Sequence, residues 1–451
     1  MTMRKITLIE PPYLFYRNVS VFGHTALPLL WMMCLSTYLK ERMGKNISVE
    51  YLDGQILATE KILNKLKEFK PHFVGLCPKY SSYSNALVIA RAAKKLGSRV
   101  IMGGPHAGPL AKEILLNRGP DSEDYCVDVC IRGDGEKALY EYMRGKDPLK
   151  IKNLVFSQDG RIVENPVEYL NLDELPIINR DLIDAKPYFR LFKRENLKDL
   201  WPVFTHKGCF YGTAGNSGCI FCGGDKKLRL RSPELFWREV NMLVEVYKAS
   251  IVINLADALP LDARFSWFQE FYAFSKLCKK KPLISLRTLP CFINTKIVKV
   301  LKEWNVRLVR LPVTDFYPGC SFGLFKNYDA SYLKTFVQPF ELLNKAGITI
   351  ETYFMPGAFN ESREDLENIS KLGRLLSKIK NVHILSARGH LPLPGSRGWQ
   401  MLLKKTGDKY QGQDLINWRE VISDWIKNFC QFLPGEYTRW ISEARASVRQ
   451  N

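Results

Sequence analysis

The sequence lacks an apolar segment long enough to cross a bilayer. Its longest apolar run, at residues 26–39, is shorter than the roughly 20 residues that a membrane-spanning helix needs, and it is more typical of a buried helix. A secretory signal peptide is missing as well, because charged Arg4 and Lys5 lead directly into a short strand-like run. We therefore expect a cytoplasmic protein without a membrane span.

The cysteines do not suggest a disulfide framework, since eleven is an odd number in a chain of 451 residues with no secretory signal. A reduced protein that uses a few thiolates as metal ligands fits better. Internal repeats, coiled-coil heptads and low-complexity segments are also missing. With 46% apolar and 25% charged residues the chain is globular, and its length allows two or three domains of roughly 150 residues each.

The formal net charge is +20, and the basic residues are spread along most of the chain. A solvated basic surface is one interpretation. The other is attraction to an anionic partner, such as an acidic peptide or protein, a phosphorylated metabolite or a nucleic acid.

The first part of the chain alternates strand-like and helix-like patterns. Short apolar runs that end in Gly, Pro or Asp, or directly before one, occur at 6–12, 47–53, 72–77, 99–105 and 128–134. Between them, segments 58–69 and 85–97 carry apolar residues at helical spacing. This alternation predicts a Rossmann-like parallel sheet over residues 1–145, which binds its ligand beyond the carboxyl ends of the strands.

Residues 146–195 are polar and rich in proline, and we interpret them as a linker, with 164–184 as a strap between domains. A second alternation follows over 196–400, with strand candidates at 201–205, 251–255, 283–288, 306–311, 348–354 and 382–387. Six βα units predict an α/β fold with a partial (β/α)6 barrel. Residues 401–451 look helical and rich in aromatics, which is typical of a lid over the barrel or of plain core packing.

Three cysteines mark a candidate metal site. Cys209, Cys219 and Cys222 follow a predicted strand in a loop rich in glycine and aromatics. A C-x-x-C pair lets two thiolates converge on one iron–sulfur cluster, and three cysteines leave one iron of a 4Fe–4S cube open. A structural zinc site is the alternative, but it needs four ligands, and His206 is the nearest further candidate.

The cysteine segment resembles the cluster loop of radical S-adenosylmethionine (SAM) enzymes. Their usual pattern is C-x-x-x-C-x-x-C with an aromatic residue before the last cysteine, a place that Phe221 takes here. The first gap differs, because nine residues separate Cys209 from Cys219. The resemblance implies that the three cysteines bind a 4Fe–4S cluster, whose open iron chelates SAM.

Further features match this family in the expected order. Gly223–Gly224 resembles the glycine pair that contacts the amino group of SAM. Residues 347–362, which include Phe354 and Pro356, resemble the fifth-strand motif that lines the adenine. Arg287 and Arg310 lie near the ends of the third and fourth predicted strands, where the family places groups for the ribose and carboxylate. Lone arginines at such places are also common as surface or ion-pair residues.

The first domain resembles the cobalamin-binding domain fused to one large subclass of radical SAM enzymes. Glycine-rich or proline-rich loops follow its first, fourth and fifth strands, and glycine lets backbone approach a flat macrocycle closely. The resemblance assigns cobalamin contacts to Pro11, Pro12, Gly103, Gly104, Pro105, His106, Gly133, Asp134, Gly135 and Glu136.

One cobalamin signature, D-x-H-x-x-G, does not occur, so we expect cobalt to have no histidine ligand from the protein; His106 shapes a loop instead. The loop 77–84 would face the lower side of the cobalt, with Tyr80, Ser81 and Ser84 as contacts. Alternatively, Ser82 or Ser84 caps the following helix.

The resemblance implies methylation of an unactivated carbon: SAM cleavage yields a 5′-deoxyadenosyl radical that abstracts hydrogen, and methylcobalamin delivers the methyl group. A cobalamin-dependent rearrangement or ring closure is the alternative within enzymes, and a non-catalytic cobalamin or redox sensor is the alternative outside them. The basic surface and the widened loop favour a peptide or protein side chain over a lipid or a small metabolite as the substrate, and we do not expect a nucleic-acid partner. Ferredoxin or flavodoxin is the expected electron donor.

Overall fold

Two mainly parallel sheets, one after the other along the chain, form the framework of the computed structural model. It describes residues 3–13, 19–20, 23–24, 26–189, 199–209, 219–224, 227–313, 330–387, 390–410 and 418–449. The predicted α/β fold class, with a Rossmann-like first sheet, a second parallel sheet and a helical end, is confirmed.

The first sheet is seven-stranded, with the order β4-β1-β5-β6-β7-β8-β9. Strands β4, β1, β5, β6 and β7 pair in parallel, whereas β8 and β9 pair antiparallel at one edge. The first nine strands of the chain are β1 (Arg4–Glu10), β2 (Val19–Ser20), β3 (Gly23–His24), β4 (Ile47–Asp53), β5 (Phe73–Leu76), β6 (Arg99–Met102), β7 (Val129–Ile131), β8 (Leu154–Gln158) and β9 (Arg161–Glu164). The sheet thus continues beyond residue 145 into the segment interpreted as a linker.

Helices cover both faces of this sheet, and on the second of them, Thr59–Phe69, apolar residues recur on one side. Ile62 and Leu66, one turn apart on the second helix, are completely buried. The helices are Leu30–Met43, Thr59–Phe69, Tyr83–Lys95, Gly104–Ala107, Ala111–Arg118 and Glu136–Met143. The strap then contains the short turns Leu172–Glu174 and Arg180–Leu182, and the short helix Lys186–Phe189 follows it.

The second sheet is entirely parallel, with the order β10-β13-β14-β15-β16-β17, and it forms a partial barrel whose edge strands are β10 and β17. The short antiparallel ribbon β11–β12 lies outside it. The strands are β10 (Leu200–Val203), β11 (His206–Lys207), β12 (Arg229–Leu230), β13 (Ile251–Asn254), β14 (Leu283–Arg287), β15 (Val306–Pro312), β16 (Thr349–Phe354) and β17 (Val382–Ala387).

The helices of the second half cover the outside of the barrel strands and continue to the end of the chain. Ser362 and Asp365 form a capping box that begins the helix after β16. The helices are Pro233–Glu245, Ser266–Ser275, Thr295–Glu303, Ala330–Lys345, Arg363–Leu376, Arg397–Thr406, Trp418–Phe429 and Pro434–Arg449. Of the described helices, none is long and apolar enough to cross a membrane.

The C-terminal helices pack against the loop after β16. Trp425 is completely buried and donates a hydrogen bond from its indole N–H to the carbonyl of Gly357 (2.7 Å). The backbone N–H of Asn360 donates to the carbonyl of Phe429. The aromatics of this region therefore act as core residues that hold the β16 loop in place.

The strap is fixed to the barrel by a buried charge cluster, which consists of Arg180, Arg231 and Glu239. Both arginines form ion pairs with the carboxylate of Glu239, and all three side chains are at most 1% exposed. Arg180 also donates to the carbonyl of Pro202 in β10 (3.0 Å). The segment between the sheets is thus a packed part of the fold.

Candidate functional site

A cavity of about 160 Å³ opens at the carboxyl edge of the first sheet. Apolar side chains of the central strands and of the helix Glu136–Met143 form its floor, among them Leu8, Ile101 and Leu139. Four glycines from the loops after β6 and β7 form its rim: Gly103, Gly104, Gly133 and Gly135. Two of the loops predicted to contact cobalamin therefore meet at one cavity.

The glycines at this rim are needed for close packing. Gly104 has a φ of +86°, and a Cβ there would collide with the Sγ of Cys77. Gly133 has a φ of +90°. Residues with a side chain rarely adopt such a backbone conformation, so glycine is the residue that allows both turns. Pro105, next to Gly104, is exposed at the rim.

Side-chain contacts at both ends hold the loop after β1 in place. The carboxylate of Glu10 is completely buried. It accepts a hydrogen bond from the indole N–H of Trp31 (3.0 Å) and forms an ion pair with Lys79 (3.2 Å). Asn85 donates to the carbonyl of Pro12 (2.8 Å). The loop that contains Pro11 and Pro12 is thereby fixed beside the loop after β5.

The loop after β5 presents Tyr80, Ser81 and Ser84, all of them partly exposed. Buried Ser82 does not cap the following helix through its side chain; its hydroxyl accepts from the backbone N–H of Lys79 (3.0 Å) and stabilises the turn before the helix. The three predicted contact residues remain accessible at this edge.

His106 turns away from the rim. Its ring is 3% exposed and packs on Tyr83, with 5.0 Å between the ring centroids. Burial lowers the pKa of His106 to about 4, so the ring is neutral at physiological pH. Its two expected roles, as a cobalamin contact and as a loop-shaping residue, both stay predictions.

Asp134 and Glu136 connect the first sheet to the second half of the chain. Lys207, which also lines the cavity, contacts Asp134 Oδ1 (3.0 Å) and Glu136 Oε1 (2.9 Å) through its Nζ. Arg229 pairs with the other oxygen of Asp134 (2.5 Å), and the backbone N–H of Leu170 donates to that oxygen as well (2.9 Å). The sequence did not single out Lys207 or Arg229.

The charges of this contact stabilise one another. Burial alone would raise the pKa of Asp134, but Lys207 and Arg229 outweigh it and hold that pKa below its ordinary value. Burial would likewise lower the pKa of Lys207, but Glu136 and Asp134 outweigh it and raise that pKa. Asp134 and Lys207 are therefore both charged near neutral pH.

The cysteine loop starts at this contact. Lys207 and Arg229 face each other in the β11–β12 ribbon, and Cys209 follows two residues after Lys207. Gly208 has a φ of +77°, and a Cβ there would collide with the carbonyl of Lys227. The two ends of the loop are thus pinned together, while the widened gap at 210–218 lies outside the described residues.

The C-x-x-C half of the loop packs against the segment after β17. Cys209, Cys219 and Cys222 are all half-buried, and the N–H of Cys222 donates to the carbonyl of Cys219 (3.1 Å). The N–H groups of Leu393 and Gly398 donate to the carbonyls of Phe221 and Ile220. Within the described part of the chain, no three His, Cys, Asp or Glu side chains form a group ready to hold a metal ion.

The glycine pair after the cysteines lies in the same packed region. A Cβ at Gly223 would collide with the carbonyl of Pro394, and one at Gly224 would stand 3.4 Å from the Sγ of Cys222. His206, the possible fourth zinc ligand, is buried beside Thr205, whose hydroxyl lies 2.8 Å from its Nδ1. Burial lowers the pKa of His206 to about 4.

An aromatic stack covers the cysteine loop on the barrel side. His390 lies between Phe221 and Trp425, with ring centroids 5.5 and 4.8 Å away, and it is completely buried. Its backbone N–H donates to the carbonyl of Pro356 (2.8 Å). The ring of Phe354 packs against Gly373 on the outer helix Arg363–Leu376. A ligand inside the barrel would therefore contact the backbone of Phe354 and not its ring. Sequence reasoning missed His390.

The two predicted arginines both have acidic neighbours. Arg310 forms an ion pair through its Nε with the buried carboxylate of Glu351 (2.7 Å). Arg287 lies 3.5 Å from Asp257. The structure therefore places both side chains at the barrel strands as expected, in ion pairs that a ligand would have to share.

Comparisons with known proteins agree with this arrangement. Residues 23–143 match the family model of the B12 binding domain. The methyltransferase TsrM from Kitasatospora setae, solved with cobalamin and a [4Fe-4S] cluster bound, superimposes with a TM-score of 0.67 at 14% identity over 90% of this chain and 75% of TsrM. The chain has the fold of the cobalamin-dependent radical SAM enzymes.

A second solved structure supports the same fold, and two curated proteins are similar in sequence. The cobalamin-dependent SAM radical enzyme OxsB, with aqua-cobalamin and SAM bound, gives a TM-score of 0.63 at 14% identity over 99% of this chain and 62% of OxsB. Anaerobic magnesium-protoporphyrin IX monomethyl ester cyclases of Rubrivivax gelatinosus and Cereibacter sphaeroides are 24% and 22% identical over 77% and 69% of this chain. The chain spans 62% and 51% of the lengths of these two cyclases.

The comparisons bear on the predicted cofactors. The cobalamin-binding nature of the first domain is confirmed by the family match. The three cofactors predicted from the sequence are those that the solved structures of TsrM and OxsB contain between them. The individual site residues stay predictions. Of the residues predicted to contact cobalamin, the rim glycines, Asp134 and Glu136 line the cavity of this B12-binding domain.

Proposed function

We propose that the protein is a cobalamin-dependent radical SAM enzyme that methylates an unactivated carbon. The observation that carries this proposal is the adjacency of two sites. The cavity of the B12-binding domain and the cysteine loop share Lys207, which lines the cavity and lies two residues from Cys209. A methyl carrier and a hydrogen-abstracting radical have to act at one substrate, and these two sites are neighbours.

The residues around the cavity suit cobalamin. Glu136 is 4% exposed, and its Oε2 has no hydrogen-bond partner within the described structure. The side-chain amides of a corrinoid would supply the missing donor. An apolar cavity of about 150 Å³ accepts a small aromatic ring. The floor formed by Leu8, Ile101 and Leu139 therefore suits the aromatic base of the cobalamin nucleotide tail.

The donor set of the cysteine loop suits an iron–sulfur cluster. Thiolates are the usual ligands of such clusters, and Cys209, Cys219 and Cys222 are partly accessible thiols on one short loop. When bound, the cluster and SAM would supply a radical able to abstract hydrogen, and cobalamin would supply the methyl carrier. Loading the cluster requires the three thiols to come together, which the pinned loop ends favour.

The protein residues would position these groups and exclude water. The stack of Phe221, His390 and Trp425 forms a dry wall behind the C-x-x-C half of the loop. Arg310 and Glu351 form a charged pair inside the barrel that can bind polar groups of SAM or substrate. These residues lie on barrel strands, on the helix Trp418–Phe429 and on loops held by backbone hydrogen bonds, which suits precise positioning.

A peptide or protein side chain is the proposed substrate class, supported by the net charge of +20, which favours acidic partners. A small acidic electron carrier, such as ferredoxin or flavodoxin, is the proposed electron donor for the same reason. Ring closure without methyl transfer is the second candidate function, and the similarity to the two cyclases over most of this chain favours it.

Product analysis separates these functions. The reconstituted enzyme is incubated anaerobically with reductant, SAM and a library of peptides, and all SAM-derived products are measured by mass spectrometry. A methyltransferase forms 5′-deoxyadenosine and S-adenosylhomocysteine in step with a product heavier by one methylene. A cyclase forms 5′-deoxyadenosine without S-adenosylhomocysteine. Turnover of a substrate without mass gain would contradict the methyltransferase proposal.

A further inference from the structure

Lys207 belongs to both candidate sites at once. Its Nζ contacts Asp134 (3.0 Å) and Glu136 (2.9 Å), and its side chain is 28% exposed at the wall of the cavity. An ammonium group has three N–H donors, so one remains beyond these two contacts. Glu136 keeps a buried oxygen without a partner in the described structure. One donor is therefore left at the cavity wall, and one buried acceptor lies on Glu136, which also lines the cavity.

The backbone of Lys207 belongs to the cysteine loop. It pairs with Arg229 across the β11–β12 ribbon, and Arg229 binds the same carboxylate of Asp134. The ribbon closes at Gly208, directly before Cys209, where no side chain fits. A movement of the Asp134–Glu136 loop would therefore also move the start of the cysteine loop. The two are linked by the ion pairs of Lys207 and Arg229 with Asp134 and by the tight backbone contact at Gly208.

We propose that Lys207 is a positioning residue that contacts cobalamin and couples occupancy of the cavity to the geometry of the cysteine loop. This inference rests on the proposed function, since it needs both cofactors to bind. The ammonium donates to a corrinoid amide or phosphate oxygen, and Glu136 accepts from a corrinoid amide. Bound cobalamin then fixes the Lys207 side chain, and with it the ribbon from which Cys209 extends.

Coupling of this kind is reciprocal. If cobalamin orders the cysteine loop for cluster binding, then a bound cluster raises the affinity for cobalamin by the same factor. Allosteric couplings in proteins typically amount to roughly 5–150-fold. For a coupling carried by two partly buried ion pairs, we expect an effect of about tenfold in the cobalamin Kd.

The test compares the full chain in two anaerobic forms, free of cluster and reconstituted with iron and sulfide. Hydroxocobalamin is titrated into each form, and Kd is obtained from the absorbance change. The unmodified protein should bind about tenfold more tightly in the reconstituted form. In Lys207→Met, which removes the ammonium, the ratio of the Kd of the cluster-free form to the Kd of the reconstituted form should fall to about one. Lys207→Arg should keep part of this Kd ratio.

Lys137→Met is the matched control, because Lys137 follows Glu136 in sequence but pairs with Glu168 at the surface, both side chains being 45–46% exposed. It should keep the ratio of the unmodified protein. Glu136→Gln serves as a second variant if Lys207→Met does not fold, and it should also reduce the ratio. An unchanged ratio in both variants, or a ratio of one in the unmodified protein, would overturn the inference. Failure of the unmodified protein to bind cobalamin in either form would instead overturn the proposed function.

Discussion

The buried carboxylate of Glu239 should be essential for the stability of the fold. It pairs with Arg180 of the strap and Arg231 beside the barrel, and the three side chains are at most 1% exposed. Glu239→Gln keeps the shape of the side chain but removes its charge. Two guanidinium groups are then left in the interior without a counter-charge.

The magnitude follows from the burial of the cluster. Removing one partner of a buried ion pair typically costs about 3–5 kcal/mol, because the remaining charge stays desolvated. Since two charges lose their partner here, we expect about 5 kcal/mol. For a cooperative unit of 150–250 residues, each kcal/mol lowers Tm by about 2–4 °C, so the expected decrease is about 10–20 °C.

Calorimetry of the cofactor-free protein measures this effect. The control is Glu168→Gln, which removes one side of a half-exposed pair with Lys137 and should change stability by less than about 1 kcal/mol. A Tm for Glu239→Gln within about 2 °C of the unmodified protein would refute the reasoning, because by the size scaling of Tm it would correspond to a cost of about 1 kcal/mol or less.

The pH dependence gives a second check of the same cluster. Burial alone would raise the pKa of Glu239, but Arg180 and Arg231 outweigh it and hold the pKa below its ordinary value. A depressed pKa in the folded state means that the stabilisation is present above the unfolded pKa of about 4.3 and is lost as the pH falls through the folded value. The difference between the unmodified protein and Glu239→Gln should therefore shrink at acidic pH.

Two further predictions address the candidate sites. Gly135→Leu should raise the hydroxocobalamin Kd at least about tenfold, or 1.4 kcal/mol, because the leucine side chain would extend into the cavity towards Leu35. Gly135→Ala, whose Cβ would lie 3.6 Å from Leu35, should keep a Kd near that of the unmodified protein. Equal titration curves for the leucine variant and the unmodified protein would contradict the cavity assignment. Burial raises the pKa of Glu361 to about 8, so its contribution to stability is full below about pH 4 and is lost as the pH rises towards 8. Glu361→Gln should therefore gain Tm relative to the unmodified protein as the pH rises from 5 to 8, and a constant Tm difference would show that the carboxyl is not buried in its neutral form.

The sequence was informative where local patterns decide the structure. The predicted barrel strands at 251–255, 283–288 and 306–311 correspond to Ile251–Asn254, Leu283–Arg287 and Val306–Pro312. Each is a short apolar run with a helix on either side, a pattern that fits a buried parallel strand. The rim glycines were equally visible, because glycine at a strand end is a local signal for a tight turn.

Long-range pairing was not visible in the sequence. Strands β8 and β9 fell within the predicted linker, since they are short, lie in a polar segment rich in proline, and pair antiparallel without a helix between them. The contact of Lys207 with Asp134 joins residues 73 positions apart, and no local pattern encodes it. His390 was missed for a similar reason, because its burial depends on Phe221 and on the C-terminal helix that carries Trp425.

Metal analysis of one preparation tests the central claim most directly, namely that a cobalamin site and a cluster site coexist in this chain. The protein is reconstituted anaerobically with iron, sulfide and hydroxocobalamin, freed of unbound cofactor, and assayed for iron and cobalt per chain. We expect about four irons, as in a 4Fe–4S cluster, and about one cobalt per chain. Replacing Cys209, Cys219 and Cys222 together by alanine should remove the iron and leave the cobalt. Retention of a full iron content by this variant, or a lack of cobalt in the unmodified protein, would contradict the account.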